Sequence, residues 1–244
     1  MSSDFFATAQ ASIYRDPKWA FSAMGIPIEL YASQTLAALS SLQPILLMGG
    51  IHGDEPEGIR LAGDTLRWLL STGDTVAPWA LIRCLNVDGA ATNTRVNGHG
   101  VDLNRNYPSK DWSPVFEKDR YFPGRKSASE PEIRAVVKLL EQLQPRLIIH
   151  CHSWKPCIVA AGEKAVEDAA RLGQSSGYQV VPEIGYPTPG SLSSYGWHDL
   201  GIPVICIEEV DGLKDSDLIW PHFASGMRAV FTDLSLRGAR AKSK

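Results

Sequence analysis

Short apolar runs separated by longer amphipathic stretches set the pattern of this chain. Largely apolar runs at 45–48, 80–85, 147–151 and 204–207, with weaker ones at 27–32 and 179–181, predict strands. The unbroken runs predict strands buried on both faces of a parallel sheet. Apolar residues recurring with helical spacing predict helices over 55–71, 130–143, 163–173 and 217–236. The second opens on Ser129-Glu130-Pro131-Glu132, a capping residue, a proline and acids suited to a first turn. Strands alternating with helices predict one α/β domain over 1–244, with a mixed, mostly parallel twisted sheet and helices on both faces. In such sheets, ligands gather at the loops after the carboxyl ends of strands.

Composition narrows the class. Of 244 residues, 44% are hydrophobic and 21% charged, which fits a packed domain and argues against disorder. The net charge is -3 with both signs mixed along the chain, so no nucleic-acid partner is expected. No run reaches the about 18 apolar residues of a membrane helix, so no membrane partner is expected either. The opening residues lack the basic start and apolar run of a secretory signal. Cys84, Cys151, Cys157 and Cys206 show no CxxC spacing and read as reduced core thiols of a cytoplasmic protein, not as a thiolate zinc site.

Chemistry-bearing residues cluster in four blocks. After the first buried run, Gly49-Gly50-Ile51-His52-Gly53-Asp54-Glu55 places His52 and Glu55 three apart at a loop-to-helix junction, where one turn can aim both at a single ion. Taken alone, Glu55 would equally favour a helix N-terminus. The second block runs from Asn86-Val87-Asp88-Gly89 through Arg95 to Asp102-Leu103-Asn104-Arg105-Asn106-Tyr107-Pro108. It is rich in turn formers and predicts an ordered loop whose arginines suit a bound carboxylate. In the third, a strand ends with His150 and His152 on one face, and either could complete a zinc site of two histidines and a glutamate. In the fourth, Tyr186 precedes a loop and Glu208 ends an apolar strand, where an unpaired carboxylate is costly unless a cation compensates it.

Together these blocks resemble the zinc carboxypeptidase family. That pattern is an HxxE pair, an NPDG-like turn, an arginine, an Asn-Arg pair, a His-Ser strand end, a tyrosine loop and a final glutamate. All occur in that order between Gly49 and Glu209. The runs around Asp102–Pro108 and Tyr186–Ser191 look most like the murein peptide amidase branch. Enzymes of that branch cut the γ-D-glutamyl–diaminopimelate bond of cell-wall peptides in the bacterial cytoplasm. The resemblance implies one zinc (Zn2+) per chain on His52, Glu55 and His152, the last preferred to His150 because Ser153 follows it. It implies that Asp102 orients His52, that Arg95 stabilises the oxyanion, and that Asn104 and Arg105 grip a free carboxylate of a small peptide substrate. Tyr186 would cover the substrate and Glu208 would be the general base. Glu209 would face away, in a surface contact or one behind the site. Val87, His99 and Glu209 depart from the family pattern without removing a catalytic group. Two other readings remain at this point: a deacylase of the succinylglutamate desuccinylase or aspartoacylase type, which shares the GxHGxE opening, and a non-catalytic binding domain.

Overall fold

The apolar runs form the centre of an eight-stranded sheet. In this computed structural model, which describes residues 13–72, 75–213 and 216–233, the strands are β1 (Tyr14–Phe21), β2 (Pro27–Ala32), β3 (Ile45–Gly49), β4 (Trp79–Ile82), β5 (Leu147–Trp154), β6 (Cys157–Ala161), β7 (Val180–Val181) and β8 (Val204–Val210). Their spatial order is β1-β2-β4-β3-β5-β8-β6-β7. The inner strands β4, β3, β5 and β8 run parallel. Every residue of β3 and β4 is buried, which is why these segments carry no polar alternation. The β1–β2 hairpin joins antiparallel on one side, and β6 lies antiparallel to β8 on the other.

Helices cover both faces. Residues of α2 (Pro56–Thr72), α5 (Glu163–Ser176) and α6 (Ile219–Thr232) pack with Leu47, Ile149 and Ile207 into one apolar cluster. On the other face, α4 (Pro131–Leu143) packs with α1 (Leu36–Leu39) against Leu46, Ile82 and Ile148. The single α/β domain with a mixed sheet expected from the sequence is therefore what forms.

Several boundaries differ from the sequence reading. The strand expected at 80–85 stops at Ile82, and Leu85 and Asn86 instead donate backbone hydrogen bonds to the carbonyls of Gly49 and Gly50. The block at 86–92, expected to be loop, contains a short helix, α3 (Val87–Thr92). The Asn86 side chain caps it by accepting from the Gly89 N–H, and Asn93 closes it in the left-handed region. The run at 179–181 supplies only Val180–Val181. Helix 217–236 starts at Ile219, after a 3-10 turn, and ends at Thr232; residues 234–236 lie outside those described.

One contact couples the fold to the polar residues. Gly58, in the first turns of α2, lies against the end of β5, so that a Cβ there would sit 2.3 Å from the Cys151 carbonyl oxygen. This allows α2 to seat directly under the strand that carries His152. Gly58→Ala should cost about 1–3 kcal/mol of stability through forced displacement. A thermal melt should register it as a fall of several degrees, and an unchanged melting temperature would refute the close-packing argument.

Candidate metal centre and cleft

The turn after β3 and the ends of β5 and β8 meet over a cleft of about 610 Å³. Local sequence explains the first turn. A Cβ on Gly53 would fall 2.0 Å from the Gly89 carbonyl carbon, so glycine there lets the turn rest on α3. His52 and Glu55 then face the end of β5. Glu55 reaches both histidines: Oε1 lies 2.7 Å from Nδ1 of His52, and Oε2 lies 2.7 Å from Nδ1 of His152. The two Nδ1 atoms are 3.0 Å apart.

The far ring nitrogens decide what those Nδ1 atoms are. Nε2 of His52 lies 3.1 Å from Asp102 Oδ1, which can only accept while ionised, so the proton sits on Nε2. Nε2 of His152 lies 2.9 Å from Nδ1 of His150, whose Nε2 meets Ser193 Oγ at 3.1 Å. Burial and the nearby His152 and His52 hold His150 well below the usual histidine pKa, so it is neutral, and in the tautomer that donates from Nε2 to Ser193 its Nδ1 accepts from His152 Nε2. Two imidazole lone pairs and a carboxylate then converge on one buried point. That arrangement is repulsive unless a cation or extra protons fill it, and two nitrogens plus a carboxylate oxygen suit a divalent ion such as zinc. His52, Glu55 and His152 form one metal-capable group; His150, His152 and Cys206 form another. In the second, both His150 nitrogens are already engaged.

Electrostatics around the donors are consistent with this. Burial works against an ionised Glu55, yet the two histidines hold its pKa well below the ordinary range. Burial likewise opposes ionised Asp102, but Arg95 and His52 keep it depressed. Arg95 bridges the two acids, with Nη1 3.0 Å from Glu55 and Nε 2.9 Å from Asp102.

The remaining cleft residues arrive from other elements. Asp102 accepts from the Asn104 N–H at the start of a tight 3-10 turn over Leu103–Arg105, and Asn104 Oδ1 accepts from the Leu192 N–H. Arg105 is only 7% exposed, donates to the Asn104 carbonyl, and has no ion-pair partner among the described residues. Glu208 stands directly beside His152 in the β5–β8 register, on the same face. It is buried, with Cys206 Sγ at 3.4 Å. Burial, opposed by His152 and aided by Glu55, pushes its pKa above the ordinary carboxylate value. Tyr186 is 45% exposed at the rim, edge-on to Trp154.

Comparison with known proteins places this geometry. The family model described as zinc carboxypeptidase matches residues 28–196, more than half of the chain. The chain belongs to the zinc carboxypeptidase family. It is a zinc metallopeptidase, and its donor set fits that ion. Murein peptide amidase A of Escherichia coli K12 is 31% identical over 170 residues, covering 65% of this chain and 68% of that protein. The Vibrio campbellii protein of the same name is 28% identical over 199 residues, covering 77% and 76%. The crystal structure of murein-tripeptide amidase from Escherichia coli O157 superposes with a TM-score of 0.73 at 28% identity, covering 88% of this chain and 90% of that one. Carboxypeptidase A of Helicoverpa armigera reaches the same TM-score at 19% identity over 90% of this chain and 68% of its own, a likeness of fold.

In this metallopeptidase the sequence reading overlooked Tyr121 and Arg120 on the cleft wall, because no spacing links 120–121 to the other blocks, and it gave Asp54 of the first block no role. It also left Glu209 open between a surface contact and one behind the site. That side chain faces away from Glu208 as the pleat requires, but its exposure is 0%, which excludes a surface contact. Tyr178 Oη and the Val210 N–H donate to Oε1, and Oε2 lies 3.5 Å from His222 Nδ1. The sequence pattern did not show that α5, α6 and Tyr178 close over this face.

Two outcomes are expected. His52→Ala and His152→Ala should each lose zinc by elemental analysis, and Asp102→Asn should weaken zinc binding about 10- to 100-fold. Loss in His150→Ala with retention in His152→Ala would move the site to the neighbouring histidine. Glu209→Gln should keep turnover while lowering the melting temperature, since a buried bond to a charged group contributes about 1.5–3 kcal/mol. A dead but normally stable Glu209 variant would contradict that assignment.

Proposed function

We propose that the chain, acting as one catalytic domain over 1–244, hydrolyses the γ-D-glutamyl–diaminopimelate amide bond of murein peptides. It uses one zinc per chain on His52, Glu55 and His152. The observation that carries this reading is Arg105, a buried guanidinium in the cleft wall without an ion-pair partner among the described residues. An unpaired buried charge is costly and calls for an anionic ligand. The names of relatives that this chain matches over two-thirds or more of their length point to murein peptides as that ligand's source.

Each side chain has a distinct job. Zinc supplies a Lewis acid that polarises the scissile carbonyl and acidifies water. Glu208 accepts a proton from the attacking water and returns it to the leaving amine, a shuttle helped by its raised pKa. Arg95, held in place by Asp102, donates to the oxyanion as it develops. Arg105 clamps the free carboxylate of the leaving half with its forked donors, and the Asn104 amide adds a further one. Tyr186 closes over the bound peptide from the rim. The site of action is the cytoplasm: all four cysteines are free thiols, which suits a reducing compartment. No helix among the described residues is long and apolar enough to cross a membrane.

The decisive assay is release of diaminopimelate from L-Ala-γ-D-Glu-diaminopimelate, abolished by chelation and restored by zinc. Cleavage of N-succinylglutamate in its place would make the chain a deacylase. Glu208→Gln should retain zinc while turnover falls about 10²- to 10⁴-fold. Arg105→Ala should raise KM for the acid substrate and leave its carboxamide analogue little changed; equal losses on both would give Arg105 a structural job.

A further inference from the structure

Three guanidinium groups converge on one aromatic ring in the cleft wall. Cζ of Arg95, Arg120 and Arg105 lies 5.3, 5.6 and 5.9 Å from the centroid of Tyr121. A ring face attracts a cation through its quadrupole without taking up any hydrogen-bond donor. The three arginines differ in what else holds them. Arg95 is fixed by Glu55 and Asp102. Arg120 is half exposed, with Asp54 at 3.4 Å. Arg105 is buried and has no ion-pair partner among the described residues, and its Nη1 donates to the neighbouring Asn104 carbonyl at 2.8 Å.

Backbone hydrogen bonds bring the ring to this place. Tyr121 ends a 3-10 turn, Asp119–Tyr121, and its N–H donates to the Lys118 carbonyl at 2.8 Å. The next carbonyl, that of Phe122, accepts from the Asp102 N–H at 2.8 Å, and the Phe122 ring packs edge-on against Phe116. Asp102 caps the turn that carries Arg105, so the ring and the guanidinium are held to a common point. An acid in place of the ring would neutralise Arg105 but occupy its fork, and so compete with a bound carboxylate. An aromatic face does not. We infer that Tyr121 is a positioning residue for the substrate carboxylate: its ring fixes the Arg105 guanidinium and leaves the forked donors free for the ligand. The ring matters most to Arg105, because Arg95 keeps its two carboxylates without it. This inference rests on the role given to Arg105 above, but not on a murein peptide as the substrate.

The test is steady-state kinetics on L-Ala-γ-D-Glu-diaminopimelate and on N-benzoylglycyl-alanine, each as the free acid and as its carboxamide. Tyr121→Leu should raise KM for the acids about 3- to 30-fold, the range a cation–π contact is worth. It should change kcat by less than about threefold and leave KM for the carboxamides little altered. Tyr121→Phe keeps the ring face and should keep the wild-type KM. Phenylalanine carrying one, two or three ring fluorines at position 121 should raise KM for the acids stepwise, because fluorine drains the ring face with little change of shape. In an Arg105→Ala background, Tyr121→Leu should add nothing further, as expected of two residues acting as one unit. Equal losses on acid and carboxamide, a flat fluorine series, or additive losses with Arg105→Ala would overturn the assignment of Tyr121. The expected pattern on N-benzoylglycyl-alanine without turnover of the tripeptide would retain Tyr121 and discard the murein substrate. No turnover of either acid by the wild type would overturn both.

Discussion

Two imidazole lone pairs and a carboxylate are pointed at the same buried spot, and the rest of the site follows from that constraint. Like-signed electron density at 2.7–3.0 Å, in a buried setting, is a stable arrangement only with a cation or extra protons among the donors. The neighbours act to keep it so. Asp102 holds the proton of His52 on the far nitrogen, and neutral His150 does the same for His152. Arg95 balances the two acids without entering the donor cluster. Removing any of these would allow a ring to flip its tautomer or swing away, so they act on the metal without touching it.

The backbone supplies the convergence. β3, β5 and β8 are adjacent and parallel, so their carboxyl ends open at one edge, and the three segments after or within them deliver His52, His152 and Glu208. Packing without side chains brings the pieces close: Gly58 lets α2 touch β5, and Gly53 lets the turn that carries His52 and Glu55 touch α3. Ser153 Oγ donates to Glu57, and Glu57 in turn accepts from the Leu213 N–H, which ties the end of β5 to α2 and to the segment after β8.

Much of this was legible in the sequence because burial on two faces leaves an unmistakable apolar run. The four inner strands and helices α2, α4 and α5 announced themselves in that way. β1 did not, since as an edge strand it carries Arg15, Asp16, Pro17 and Lys18 and a register shift, and these residues suppress any period-two signal. β6 was missed because it is only five residues long and follows the end of β5 after two residues; it pairs with β8 and β7 rather than with β5. Candidate metal donors could be named from a motif because two of them share one turn. Tyr121 and Arg120 could not, because they sit on a three-residue 3-10 turn, Asp119–Tyr121, and reach the cleft only through tertiary packing. Glu209 shows the same limit in reverse: alternation gave its direction, but not that a helix and a tyrosine wait on that side.

The two adjacent acids at the end of β8 show how much depends on register. Period-two alternation puts Glu208 in the cleft and Glu209 in the opposite layer, so a slip of one residue would exchange the carboxylate beside His152 for a buried anchor. A strand paired on one side could slip, but β8 is paired on both. β5 matches it from Ile148↔Val204 to Trp154↔Val210, and β6 matches it from Cys157↔Glu208 to Ala161↔Val204. A slip would also drive the Glu208 carboxylate into an apolar cluster and strand the Tyr178 hydroxyl without its acceptor. The buried Glu209 is thus part of what holds Glu208 beside His152, although it lies on the opposite face of the sheet.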